Sequence, residues 1–271
     1  MKKIKAILCD FDGTLVDDNS NYLPKVKTLI KKILKKNIRF SLATGRAYYS
    51  SIKQIESELG IRGIHIVNNG AMIYNSLVNK ILFLQSISEK STAKIIKYLL
   101  KNKFTFSLEA KKCVYLSNNV KTKLFYNDIL VNTISKFKKS EQILKIVIFA
   151  KANNLSESEI NSHIKILKNI CSDVSITSFT FSKTFGADIT SEKATKHTAV
   201  LEYFKILHLS RDEVIGIGNG TNDYPLFTAC GFNIAMATAP QELKEIADVV
   251  VPSVEDGGMV EALEYIIKNK I

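Results

Sequence analysis

The chain has 271 residues, of which 46% are hydrophobic and 24% charged, and carries a formal net charge of +12. That length and apolar content suit a packed protein of two domains or one large one, and no apolar run approaches membrane-spanning length. The positive charge is almost wholly lysine, with Arg39, Arg46, Arg62 and Arg211 as the arginines, and without a helix-turn-helix or aromatic-basic motif it argues against nucleic-acid readout, which relies on arginine forks. Cys9, Cys113, Cys171 and Cys230 show no C-x-x-C spacing, so neither a zinc site nor a disulfide framework is expected. Met1-Lys2-Lys3 is basic, but the apolar stretch after it is too short for a secretory signal. A cytoplasmic protein with reduced thiols is expected.

The run from Ile4 to Cys9 reads as a strand and opens directly into Asp10-Phe11-Asp12-Gly13-Thr14. Strand ends are where α/β sheets place their chemistry. In an extended segment residues two apart share a side, so Asp10 and Asp12 address one site while Phe11 turns into packing. Two acids so placed call for a cation; the plainer reading is a solvated acidic turn. Pro24 then suits the first turn of a helix carrying Leu23, Val26, Leu29, Ile30, Ile33 and Leu34 inward. Arg39 to Leu42 is a second short strand, which ends in Ala43-Thr44-Gly45-Arg46, and a helix runs from about Ala47 to Leu59. Ile64 to Val67 is a third strand, closed by Asn68-Asn69-Gly70-Ala71. Alternating strand and helix predict a parallel sheet.

From Ile73 to Leu84 the pattern changes to short hairpin-like segments. A helix over about Ser88 to Asn102, strands near Phe104 to Leu108, Val114 to Leu116 and Ile143 to Ala150, a helix over about Glu157 to Ile170 and a strand at Val174 to Ser178 make an α+β insert. Between Lys80 and Gly186 lie 18 basic and 7 acidic residues, so the net charge belongs to the middle of the chain. Alternation returns at Ala187, with Asp188-Ile189-Thr190, a helix from about Thr195 to Leu207, and a strand from Val214 to Ile217 that opens into Gly218-Asn219-Gly220-Thr221-Asn222-Asp223. A helix from Tyr224 to Cys230, a strand from Phe232 to Met236, a helix near Pro240 to Ile246 and a closing helix from Met259 complete the series. The predicted fold class is α/β: an open, parallel, Rossmann-like core from residues 1–80 and 187–271, interrupted by an α+β domain over 81–186.

Gly216-Ile217-Gly218-Asn219-Gly220 at a strand end points toward dinucleotide binding, but G-x-G-x-x-G fails at Thr221, and no P-loop sequence exists. His65, His163 and His208 have no ligand spacing and read as core or surface residues. Asn222-Asp223 by itself reads equally as a helix N-cap pair before Tyr224-Pro225.

Asp10-Phe11-Asp12-Gly13-Thr14, Ala43-Thr44-Gly45-Arg46, Lys196 and the Gly218 to Asp223 loop, in that order, resemble the four signatures of the haloacid dehalogenase-like superfamily. More narrowly they look like its Cof-type phosphatases, in which a large α+β cap is inserted after the third strand. Asn69-Gly70-Ala71 and Glu255-Asp256-Gly257-Gly258 match turns typical of that group. The resemblance implies a Mg²⁺-dependent phosphoric monoester hydrolase that works through an aspartyl-phosphate. Asp10 would be the nucleophile, Asp12 the acid and then the base, and Lys196 the group that stabilises charge on nucleophile and phosphoryl. Gly13, Thr44, Gly45, Arg46 and Asn222 would bind or position the phosphoryl group or substrate, and Asp10, Asp12, Asn219 and Asp223 would hold the metal. In that family the cap covers the site and reads the leaving group. The basic insert therefore gives a small anionic metabolite as the expected partner, of the sugar phosphate, flavin mononucleotide or pyridoxal phosphate class, with no nucleic acid and no membrane.

Two positions depart from the family pattern. Asn219 stands where most relatives have a metal-binding aspartate; its amide keeps an oxygen ligand and removes a charge. Asp223 is then expected to supply a carboxylate, directly or through water, while Asn222 holds Asp10 or Lys196. His197 follows Lys196 where the family has glycine, which leaves Lys193 as a competitor for the lysine role, although spacing favours Lys196. Asp12 is a phosphotransfer feature and argues against dehalogenation. The alternative from another class, drawn from Asn219, is a low-turnover phosphate-ligand binding or regulatory protein.

Overall fold

The computed structural model describes residues 3–117, 130–181 and 184–271. Met1 and Lys2 of the basic opening, and Lys121, Lys123 and Lys183 of the central charge count, lie outside the described residues.

β1 (Ala6–Cys9) is apolar and buried at every position, as a strand covered on both faces must be. α1 (Pro24–Lys35) begins on proline, whose missing N–H is no loss in the first turn, and buries Val26, Leu29, Ile30 and Ile33. β2 (Arg39–Leu42), α2 (Ser51–Leu59) and β3 (Ile64–Val67) follow, then β4 (Met72–Asn75), β5 (Lys80–Leu84) and α3 (Glu89–Lys101). The middle of the chain supplies β6 (Phe106–Ala110), β7 (Cys113–Leu116), β8 (Leu130–Thr133), β9 (Ile143–Phe149), α4 (Glu157–Ile170), β10 (Val174–Phe181) and β11 (Thr184–Ser191). The last third is α5 (Lys196–Leu207), β12 (Val214–Gly218), α6 (Tyr224–Ala229), β13 (Phe232–Met236), α7 (Gln241–Glu245), β14 (Val249–Val251) and α8 (Gly258–Asn269).

These elements fall into two compact units: Met1–Arg46 with Ile52–Phe83 and Thr195–Ile271, and Ala47–Ser51 with Leu84–Ala194. In the first, five strands pair in parallel in the order β14-β13-β12-β1-β2. The regular alternation predicts β3 as the next parallel strand. It meets the end of β2 in parallel, through a single bridge from Ala43 to Ile66, but its ladder is antiparallel, with β4 in a separate sheet, β3-β4-β5. The cause is local. Asn68, Asn69 and Gly70 all take left-handed backbone, φ 52°, 56° and 94°, a run that asparagine and glycine tolerate best, and it folds the chain straight back beside β3.

In the second unit six strands run in the order β10-β11-β9-β6-β7-β8, antiparallel except for β7 with β8. Leu108, Ile146, Ile148 and Ile189 of the sheet share one apolar core with Ile95 and Leu99 of α3 and Ile164 and Leu167 of α4. α4 starts at a reciprocal Ser156–Glu159 capping box, which satisfies two otherwise unpaired N–H groups. Residues 187–191, expected to begin the return of the parallel core, instead lie in β11, bonded to β9 and β10. The insert therefore runs to Ala194. Lys90, Lys94, Lys97 and Lys101 of α3 and Lys165 and Lys168 of α4 are exposed. The buried Lys145 is held by Glu109 at 3.5 Å and Asp188 at 3.4 Å. All four cysteines are free.

Candidate active site

Parallel register gathers the polar loops. Cys9 lies opposite both Ile217 and Leu42, so the segments that follow β1, β2 and β12 leave the sheet at one edge. The backbone N–H of Asp10 donates to Ile217 at 2.8 Å and that of Ala43 to Cys9 at 2.9 Å. The start of α5 reaches this edge through Gly70, where an added Cβ would strike the Thr195 carbonyl; Thr195 then caps the helix by accepting from the Thr198 N–H.

The centre is a buried row of three charges. Lys196 Nζ donates to Asp10 Oδ1 at 2.6 Å and to Asp223 Oδ1 at 2.5 Å, and the three residues are at most 5% exposed. Asp223 Oδ2 accepts the N–H groups of Asn219 and Gly220, both at 2.9 Å. Burial pushes the Asp10 carboxyl up to about 7, with Asp223 adding to the effect and Lys196 opposing it. Burial disfavours the Lys196 ammonium, but Asp10 and Asp223 outweigh it and hold the lysine above its usual range. Two carboxylates around one ammonium leave excess negative charge in a poorly solvated place. Burial likewise raises the thiol of Cys9, helped by adjacent Asp10, so it supplies no thiolate here.

Around that row the first loop is fixed by its partners. Arg46 holds Asp12 in a fork, with Nε 3.0 and 2.9 Å from the two carboxylate oxygens and Nη2 2.5 Å from Oδ1, and its guanidinium stands 5.2 Å from the Phe11 ring centroid. Thr14 Oγ1 donates to Asn219 Oδ1 at 3.0 Å. Gly13 has φ 69°, and a Cβ there would strike the Asn219 amide nitrogen, so only glycine lets the two loops meet. On the second loop Thr44 Oγ1 accepts the Arg46 N–H at 3.1 Å, and a Cβ on Gly45 would stand 2.7 Å from Asn69 Oδ1.

The structure thus brings together Asp10, Asp12, Gly13, Lys196, Asn219 and Asp223, with Thr44, Gly45 and Arg46 on the neighbouring loop. It separates others. Lys193 is exposed, whereas Lys196 is 2% exposed. Asn222 is exposed, and the side chain that holds Lys196 is Asp223. Both Asp223 oxygens are engaged, Oδ1 by Lys196 and Oδ2 by two backbone N–H groups, so it positions the lysine and the fourth loop. His197 lies 3.1 Å from the Thr228 hydroxyl. Sequence reasoning gave no role to Thr14, because its partner Asn219 lies 205 residues away. It likewise gave no role to Asn69, whose N–H donates to the Thr44 carbonyl at 3.0 Å; the Asn-Asn-Gly run was the available signal.

The pattern of the haloacid dehalogenase-like hydrolases matches residues 7–263. The chain belongs to the haloacid dehalogenase-like hydrolase family. It is 24% identical over 269 residues to phosphoglycolate phosphatase 1 of Saccharolobus solfataricus, covering 98% of this chain and 97% of that one. A solved haloacid dehalogenase-like hydrolase of B. subtilis matches with TM-score 0.82 at 19% identity, covering 99% of this chain and all of the other. The subclass IIB sugar phosphatase BT4131 matches with TM-score 0.78 at 19% identity, over 97% of this hydrolase and 98% of that chain. The hydrolase is accordingly an enzyme of the phosphatase type. Among the described residues no helix is long and apolar enough to cross a membrane.

The hydrolase's residues fit a hard cation. Excess negative charge around Asp10 asks for one, and the donors on offer, the Asp10 carboxylate and the Asn219 amide oxygen oriented by Thr14, are the oxygen type that Mg²⁺ prefers. Among the described residues no three His, Cys, Asp or Glu side chains form a metal cage. Such a cation would draw its remaining ligands from water and substrate, as Mg²⁺ usually does.

Proposed function

We propose that this hydrolase is a Mg²⁺-dependent phosphatase that cleaves phosphate monoesters of small metabolites through an aspartyl-phosphate on Asp10. The observation that carries the reading is the buried Asp10–Lys196–Asp223 row at a strand edge, with Asp12 and Thr44 on the flanking loops. A carboxylate is a weak nucleophile, and one step becomes two easier ones if it is positioned beside cations. Lys196 stabilises the charge that Asp10 and the phosphoryl oxygens share, and Asp223 aims the lysine. Asp10 forms the new O–P bond as the ester P–O bond breaks, and the departing oxygen takes the Asp12 proton. Asp12 then takes a proton from the water that attacks phosphorus, which releases phosphate and restores Asp10. Arg46 fixes the direction of the Asp12 carboxylate, whose oxygens retain further lone pairs for the proton. The Thr44 hydroxyl donates to a phosphoryl oxygen, and Gly13, with no Cβ, lets the backbone approach it closely. When bound, Mg²⁺, held by Asp10 and Asn219 with Asp12 nearby, would offset the dianionic charge of the phosphate.

The insert would act as the cap that reads the leaving group. Its lysines on α3 and α4 are exposed and solvated, so net charge gives little reason to choose among sugar phosphates, flavin mononucleotide and pyridoxal phosphate. A sugar phosphate is the first candidate, since one structural relative is a sugar phosphatase. The test is hydrolysis of p-nitrophenyl phosphate with Mg²⁺, followed by phosphate release from a panel of phosphorylated metabolites. Asp10→Asn is expected to abolish turnover; a wild-type rate equal to that variant's at every Mg²⁺ concentration overturns the proposal.

A further inference from the structure

β2 and β3 meet without a ladder, and a side chain fills the gap. The backbone N–H of Leu42 donates to Nδ1 of His65 at 3.0 Å, and His65 is fully buried. A buried N–H left without an acceptor is costly, so the imidazole replaces the carbonyl that a continuous sheet would offer. An accepting Nδ1 places the ring proton on Nε2, which faces Glu56 Oε2 at 3.8 Å, longer than a hydrogen bond. The Ser76 hydroxyl donates to the other Glu56 oxygen. Burial keeps this imidazole neutral, against an opposing pull from the Ile61 carbonyl.

Leu42 is two residues before Thr44. The same β3 segment fixes the rest of that loop: the Thr44 N–H donates to Ile66 at 2.9 Å, the Asn69 N–H to Thr44 at 3.0 Å and the Asn68 N–H to Arg46 at 2.9 Å. These bonds join backbone to backbone; the His65 bond depends on one side chain. We propose that His65 is a positioning residue, whose neutral Nδ1 sets where the Thr44–Arg46 loop stands and so tunes its grip on the phosphoryl group. The proposal rests on the phosphate-binding role given to Thr44 above.

Leucine and asparagine have nearly one shape, but only asparagine offers an acceptor where Nδ1 sits, so His65→Leu and His65→Asn separate packing from hydrogen bonding. Loss of one such anchor is expected to raise KM for p-nitrophenyl phosphate and the inhibition constant of inorganic phosphate about tenfold in His65→Leu, with His65→Asn within about threefold of wild type. Equal constants in the two variants overturn the proposal. If His65→Leu fails to fold, the wild-type long-range ¹H–¹⁵N spectrum decides. A proton on Nε2 with bare Nδ1 supports the assignment, and a proton on Nδ1 removes it. A wild-type protein that turns over no phosphate ester sinks the phosphatase reading alone, because phosphate affinity by calorimetry still ranks leucine against asparagine.

Discussion

Arg46 grips Asp12 through both carboxylate oxygens, from Nε at 3.0 and 2.9 Å and Nη2 at 2.5 Å. A planar fork fixes direction as well as charge, and lysine reproduces only the charge. Arg46→Lys is therefore expected to lower kcat for p-nitrophenyl phosphate by about 10- to 100-fold, a partial loss of the roughly 10²–10⁴-fold that acid–base catalysis contributes, with a smaller effect on KM. An equal rise in KM at constant kcat would show instead that the guanidinium serves ground-state substrate binding.

Removing Lys196 leaves Asp10 and Asp223 facing each other in a buried place. Breaking a buried ion pair from one side typically costs about 3–5 kcal/mol, and Lys196→Met should lose roughly that in urea unfolding as well as losing turnover. Lys193→Met, at an exposed position, should stay within about 0.5 kcal/mol of wild type. Equal losses in the two variants would return the lysine role to open competition.

His65 makes stability depend on pH. Burial lowers its folded pKa to about 4, from an ordinary 6.5. Between those values the unfolded chain binds a proton that the folded one refuses, so stability rises with pH. The contribution is fully present above about pH 6.5 and is lost as pH falls toward 4, a span of roughly 3 kcal/mol by linkage. Urea titrations at pH 5 and 7 should show about 2 kcal/mol of that span in wild type and less in His65→Asn.

Much of this was legible in the chain. The periodicity of Val26, Leu29, Ile30 and Ile33 marks α1 because a single helix stripe suffices to bury them, and the loops after β1, β2 and β12 announce themselves as polar turns at apolar strand ends. What escaped depended on distant partners. Nothing near Asn222 or Asp223 tells which of the two faces Lys196, since the choice is made by how the loop caps itself with the Asn219 and Gly220 N–H groups. Strand β3 and its place after β2 are legible, but that its ladder runs with β4 is not, because a four-residue apolar strand looks alike in parallel and antiparallel sheets. The long β11 was split at Ala187 for the same reason: Asp188-Ile189-Thr190 alternates as well in either unit.

Asn219 Oδ1 accepts from Thr14 at 3.0 Å, an arrangement a carboxylate would also satisfy while adding charge for a cation. Asn219→Asp should lower the Mg²⁺ concentration for half-maximal activity by about tenfold or more, in line with the charge dependence of oxygen-ligand sites. An unchanged metal titration would take Asn219 out of the ligand set.

The central place of β1 has a consequence for biosynthesis. One of its edges is covered early by β2, but the other waits for β12, and Asp10 meets Lys196 across 186 residues of sequence. At about 5–20 residues per second the ribosome needs roughly 10–40 s to make that stretch. Through that interval an apolar strand offers an open edge, the feature that invites wrong pairing. The loop that carries Asp10 is thus among the first parts of the protein to be made and among the last to be completed.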